Sequence, residues 1–307
     1  MRYLCRRLSG GMEITMKRIH IFNPVAGKGH SPEMLTSHNI KDEIYITQCV
    51  GDAARFVEEA AHADPETHFI VYGGDGTLNE AVNGILRAGA GQQALLSVVP
   101  TGTGNDTLRS LPDIKGTELF VDAMEYNGKY AINIINMGFD CSVVDRTQSY
   151  KRLPAVDGGL AYILGVADVL FHKMGEDWHI RMELENGETE EVAGTFLLTL
   201  AANGSCYGGG FKAASLAKMN DGLLDILIVP KLSRASFLSL VADYRKGTHL
   251  DPVTMRPAKK FEKKVLYRRC RSLTVEGVRR ICADGEIEHA AAVRISVLPR
   301  ALRMHVL

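Results

Sequence analysis

A local pattern that occurs three times constrains this fold most: a short apolar run leads into a loop of small residues. Residues 68–72 (His-Phe-Ile-Val-Tyr) form a β-forming stretch, followed by Gly73-Gly74-Asp75-Gly76-Thr77. Leu78 and residues 81, 82, 85 and 86 are then apolar at helical spacing. Residues 18–22 run likewise into Asn23-Pro24-Val25-Ala26-Gly27-Lys28-Gly29, and residues 94–99 into Pro100-Thr101-Gly102-Thr103-Gly104-Asn105-Asp106. Loops of this kind sit at the C-terminal ends of buried parallel strands, which share one edge of an open sheet, and ligands bind there.

Glycines let the backbone approach a ligand without a Cβ clash, and the amides at a helix N-terminus suit phosphate. A carboxylate in such a loop repels a bare phosphate, so Asp75 and Asp106 fit better as partners of a magnesium ion arriving with one. With the hydroxyls of Thr77 and Thr103 they outline an ATP–magnesium site; any one loop alone would also suit an ordinary Asp-Gly turn. Neither common glycine fingerprint fits. Gly27-Lys28 is followed by Gly29, not by Ser or Thr, and the sixth position from Gly102 is Thr107.

Further along, residues 17–135 alternate strand and helix, with strands at 18–22, 44–47, 68–72 and 94–99 and helices at 51–61 and 78–88. Asp52 is placed to cap the 51–61 helix. This is the rhythm of a doubly wound α/β sheet. Residues 136–298 read as a β-rich second domain, a sandwich, with Asn186-Gly187 and Asp284-Gly285 as hairpin signals. Two helices interrupt it, at 160–172 and at 237–245, the second capped by Ser233. Residues 1–16 are either a flexible basic arm or a segment ahead of the true start at Met16 (or Met12); the second is the expectation.

The chain has 307 residues, 46% of them hydrophobic, and 36 basic against 36 acidic side chains. That balance leaves no net field to attract nucleic acid. Six scattered cysteines without a Cys-x-x-Cys pair argue against zinc and for reduced thiols in a cytoplasm. No apolar stretch reaches the ~18 residues a membrane helix needs. One dense basic run, Lys259-Lys260-Phe261-Glu262-Lys263-Lys264, is either a lysine-protected edge strand or a contact for an anionic surface.

Taken in order, Asn-Pro-x-Ala-Gly-x-Gly, Gly-Gly-Asp-Gly-Thr with Asn79-Glu80, Gly-Thr-Gly-Asn-Asp, residues 208–211 (Gly-Gly-Gly-Phe), residues 220–224 (Asn-Asp-Gly-Leu-Leu) and Asp284-Gly285-Glu286 resemble the diacylglycerol kinase catalytic family. The likeness covers nearly the whole chain from Met16. It implies an ATP- and magnesium-dependent lipid kinase, peripheral to a membrane and homodimeric, whose acceptor is most simply diacylglycerol. The nucleotide would be bound by Asn23, Pro24, Ala26, Gly27, Thr47, the run from Gly73 through Asp75, Gly76, Thr77 and Leu78 to Asn79 and Glu80, Thr103 and Asn105. Asp284 would be the general base, assisted by Glu286. Asp75, Asp106 and Asp122 would serve the catalytic magnesium, while Asp221, with the carbonyls of Lys218 and Leu223, would hold a structural one. The last residues, 299–307, would return to the first domain. An NAD kinase, which shares Gly-Gly-Asp-Gly-Thr, and a catalytically silent nucleotide- or lipid-sensing module are the alternatives.

Overall fold

The computed structural model describes residues 16–26, 42–102, 104–112, 116–151, 164, 168–169 and 175–306. The chain divides into two compact units, Met1–Asn105 with Asp113–Val121 and Arg300–Leu307, and Asp106–Pro112 with Asp122–Pro299. The chain passes from one unit to the other after Asn105, Pro112, Val121 and Pro299.

In the first unit the described elements are β1 (Arg18–Phe22), β2 (Glu43–Ile46), α1 (Asp52–Ala63), β3 (His68–Gly73), α2 (Asp75–Arg87), β4 (Leu95–Pro100) and the start of β5 (Glu118–Tyr126). The sheet order is β2-β1-β3-β4, all parallel, and residues 303–305 add another parallel strand beside β4. Ile19, His20, Ile21 and Phe22 are all buried, the continuous burial of a strand covered on both faces. Leu78, Ala81, Val82 and Ile85 form the buried stripe of α2, and Ala53, Ala54, Val57 and Ala61 that of α1. The helices cross closely at Gly84, where a Cβ would lie 2.6 Å from the Ala54 carbonyl oxygen.

The start of α1 departs from expectation. Gly51, in the left-handed region, is its N-cap and makes no side-chain cap. Asp52 lies inside the first turn, where its carboxylate takes the Gln48 amide, the Tyr45 hydroxyl and Arg55. The amides of Gly51 and Ala53 donate instead to Glu80 of α2, at 2.9 and 3.1 Å.

The second unit contains α3 (Asp106–Ser110), the rest of β5, β6 (Lys129–Ala131), β7 (Ile134–Gly138), α4 (Phe139–Lys151), β8 (Glu176–Leu184), β9 (Thr189–Ala202), β10 (Leu224–Pro230), α5 (Arg234–Lys246), β11 (Leu250–Asp251), β12 (Arg256–Pro257), β13 (Leu266–Glu276), β14 (Arg280–Ala283), β15 (Glu286–His289) and, up to Pro299, β16 (Ala292–His305). Its strand pairs are antiparallel. Long β9 pairs first with β8, then with β10 and β7; β13 pairs first with β10, then with β8 and β16. Strands β8, β9, β10 and β13 therefore close on one another around Trp178, Ile180, Met182, Ile226, Leu273 and Val275. A second cluster, with Leu198, Leu200, Leu227, Phe237 and Leu240, seats α4 and α5 on the other face of β9 and β10.

Ser233 caps α5 by accepting the Ser236 amide, as its sequence position suggests. The basic run is not an edge strand. Residues Lys259–Phe261 form a 3₁₀ turn with Phe261 buried, and the amines of Lys260 and Lys264 stand 4.9 and 5.8 Å from its ring. The helix expected over 160–172 lies outside the described residues except at 164, 168 and 169, and residues 1–15 lie outside them too.

Candidate active site

In the first unit, β1, β3 and β4 end side by side at Phe22, Gly73 and Pro100, so the loops leaving them share one edge. Asn23 joins two of these loops: its amide group donates to Thr77 Oγ1 at 2.9 Å, and its side-chain oxygen accepts the Val25 amide. Gly74 and Gly102 bring the other two together, since a Cβ on Gly102 would lie 2.5 Å from the Gly74 Cα. Asn105, at φ 53°, closes its turn by donating to the Gly102 carbonyl at 2.8 Å. Asp75 is the first residue of α2, where a carboxylate is favoured by the helix dipole. Backbone and hydroxyl groups thus crowd one strand edge with little side-chain bulk, which suits a polyphosphate. Pro24, Ala26 and Gly76 lie on it. Thr47 is buried, with its amide on the Phe22 carbonyl, and Leu78 is buried below the loop. Asn79 faces Asn83, and both oxygens of Glu80 serve α1, which gives Glu80 a structural task. Gly27 and Thr103 lie outside the described residues.

The second unit carries the other candidate groups. Asp284 sits at φ 47° in the two-residue turn between β14 and β15. Its carboxylate accepts three backbone N–H groups, from Ile132, Asn133 and Ile134, at 2.8, 3.0 and 2.9 Å. Those bonds fix both oxygens against the strand start. Glu286, the first residue of β15, is exposed.

Asp106 is 4% exposed; its Oδ1 takes Arg109 at 3.0 Å and its Oδ2 the Gly209 amide at 2.7 Å. Both Asp106 oxygens are thus engaged, one of them by a guanidinium. Asp75, half-buried on the edge of the first unit, suits a hydrated magnesium, which needs few direct protein ligands. Asp122 has no exposed surface, and its Oδ2 accepts the Gly222 amide at 2.7 Å; it is an anchor for the 219–222 turn rather than a group facing a ligand. Asp221 faces Arg269 with one oxygen and the Leu223 amide with the other. A cation held there with the Lys218 and Leu223 carbonyls would compete with the guanidinium, so this turn does not fit a second magnesium. Among the described residues no three His, Cys, Asp or Glu side chains gather as a metal cluster.

Sequence reading missed one polar group altogether. Asp140, at the start of α4, accepts hydrogen bonds from the hydroxyls of Tyr207 and Tyr244. Burial pushes its carboxyl up to about 6, although both hydroxyls hold it down. The Tyr207 hydroxyl is driven far above its usual range by burial and by Asp140. These three residues lie far apart in sequence and no pattern links them.

The family profile of the diacylglycerol kinase catalytic domain matches residues 17–135, and that of the YegS C-terminal NAD kinase beta sandwich-like domain matches residues 133–306. The chain belongs to the diacylglycerol kinase family. A diacylglycerol kinase of Bacillus subtilis (strain 168) is 30% identical over 256 residues, covering 77% of this chain and 81% of that one. One from Staphylococcus aureus (strain bovine RF122 / ET3-1) is 30% identical over 286 residues, covering 87% and 84%. A solved structure of a diacylglycerol kinase from Bacillus anthracis str. Sterne superposes with a TM-score of 0.62 at 21% identity, covering 94% of this chain and 96% of that one; it is similar in fold. As a member of the diacylglycerol kinase family, the protein is a kinase with an alcohol acceptor.

Proposed function

We propose that this kinase transfers the γ-phosphoryl group of ATP to a lipid hydroxyl, with diacylglycerol as acceptor and phosphatidate as product. The observation that carries the reading is Asp284, a carboxylate fixed by three backbone amides at an exposed hairpin turn. In that role it accepts the proton of the lipid hydroxyl as the new O–P bond forms and the bond from γ-phosphorus to the bridging oxygen breaks, releasing ADP. Such a base contributes modestly, because the phosphoryl transition state is loose and positioning dominates. Positioning of ATP falls to the amides and hydroxyls of Asn23, Gly74, Thr77, Gly102 and Asn105. Magnesium, held through Asp75, would supply charge neutralisation on the phosphates.

The acceptor lies in a bilayer, so contact with it is peripheral. Among the described residues no helix is long and apolar enough to cross a membrane. Labelled ATP offered with diacylglycerol, monoacylglycerol, sphingoid bases, phosphatidylglycerol and isoprenoid alcohols in mixed micelles, and separately with NAD, tests the reading. Label should pass to diacylglycerol in a magnesium-dependent way. Transfer to NAD, or to a different lipid in preference, overturns it.

A further inference from the structure

Strands β11 and β12 form a small hairpin of their own, pairing Leu250 with Pro257 and Asp251 with Arg256. Asp251 builds its turn. The carboxylate accepts the Val253 amide at 2.8 Å and the Asp251 carbonyl accepts the Met255 amide at 2.9 Å. At the base the Ala258 amide donates to the His249 carbonyl at 2.9 Å. Met255 is held at φ 53°, in the left-handed region that a long side chain seldom occupies. A turn that had only to reverse the chain would place glycine or asparagine there, among polar neighbours. This turn carries Val253, 89% exposed, and Met255, 38% exposed. Arg256, Lys259 and Lys263 follow, all of them exposed, while Lys260 is drawn to Asp243.

Single exposed apolar residues are ordinary. Two on a strained, hydrogen-bonded turn, next to three exposed cations, are not. From Asp251 to Lys264 the chain carries five basic side chains against two acidic ones, although its formal charge as a whole is zero. Apolar tip and cationic flank together match a surface that is anionic outside and apolar within. We propose that the 251–256 hairpin is a docking element for an anionic lipid bilayer. Val253 and Met255 enter the boundary between headgroups and acyl chains, and Arg256, Lys259 and Lys263 meet the lipid phosphates. The strain at Met255 then has a use, since a fixed turn presents both side chains without ordering them on contact. This rests on the reading of a bilayer lipid as acceptor, but vesicle binding is measured without turnover, so the two can fail separately.

Val253→Trp places a reporter on the tip. Its emission should shift to the blue on vesicles of phosphatidylglycerol and phosphatidylcholine, and brominated acyl chains should quench it. The wild-type protein, whose Trp178 is buried, should show neither change. Val253→Asp should weaken cosedimentation with the same vesicles by about tenfold or more, the scale of one apolar side chain withdrawn from water. It should leave the rate on a short-chain, water-soluble diacylglycerol unchanged. Met255→Gly removes the side chain and relieves the positive φ. It should bind vesicles more weakly while melting no lower than wild type, which separates docking from folding. Wild-type protein that ignores the vesicles, or a Val253→Asp variant that binds them as wild type does, overturns the proposal. So does a Val253→Asp variant whose lipid-free sedimentation coefficient falls, since the tip would then cover a second copy of the chain. Docking that behaves as expected, without phosphorylation of any lipid, would sink the proposed function and leave the docking element standing.

Discussion

Three backbone amides converge on Asp284, so its replacement cannot be a purely chemical edit. Oδ1 serves Asn133 and Ile134 and Oδ2 serves Ile132; an asparagine offers one acceptor oxygen and turns its amino group toward a remaining N–H. Asp284→Asn should therefore lower stability by about 1–3 kcal/mol, the cost of an unsatisfied buried donor. Phosphoryl transfer, measured well below the melting temperature, should drop by about 10²-fold or more, with ATP affinity intact. A rate loss no greater than the unfolded fraction explains would assign Asp284 to the hairpin alone. The sequence gives no hint of this double duty, because Asp-Gly reads as a turn whether or not its carboxylate reaches a strand about 150 residues away.

At the scale of elements, α1 and α2 form one device. Glu80 leaves α2 to satisfy the first amides of α1, and Gly84 lets the helix backbones meet. Orphan amides at a helix N-terminus need such a partner, and Gly51 has no side chain to provide it. Glu80→Ala should cost about 1 kcal/mol of unfolding free energy in a denaturant titration, the usual worth of a cap, with nucleotide affinity changed little. If affinity falls while stability holds, Glu80 is a nucleotide residue as its motif suggests. Helix and strand periodicity were readable in 78–88 and in the alternation of 178, 180 and 182, since burial of one face writes itself into spacing. The partner of a cap was not, because that contact depends on which helices touch.

For the whole molecule, formal charge is zero, so the attraction to a lipid surface that the proposed function requires has to be local. Of the basic run, Lys260 pairs with Asp243 and Lys264 reaches Ser239, both over Phe261. Arg256, Lys259 and Lys263 are exposed, as is Val253 at 89%. Replacing Arg256, Lys259 and Lys263 together by alanine should weaken sedimentation with anionic vesicles and raise the apparent Michaelis constant for vesicle lipid. The wild-type association should fade with salt, as charges are screened over about 8 Å at physiological ionic strength. Unaltered vesicle binding would place the surface elsewhere on the protein.

The residues 73–77 and their two companion loops determined much by themselves: glycine, small hydroxyl and carboxylate types after buried strands allow few uses. The alternation of β8 and the Asp-Gly turn likewise announced antiparallel strands. Tertiary structure decided which carboxylates are committed. Asp122 and Asp221 read as metal ligands in sequence, yet one is buried on the Gly222 amide and the other faces Arg269. Asp140, silent in sequence, emerges as the acceptor for two tyrosines drawn from a loop and a helix. A side chain's type sets what it can bond, and local spacing sets which face it takes. Its actual partner is set by chain closure over tens to hundreds of residues, and no local pattern records that.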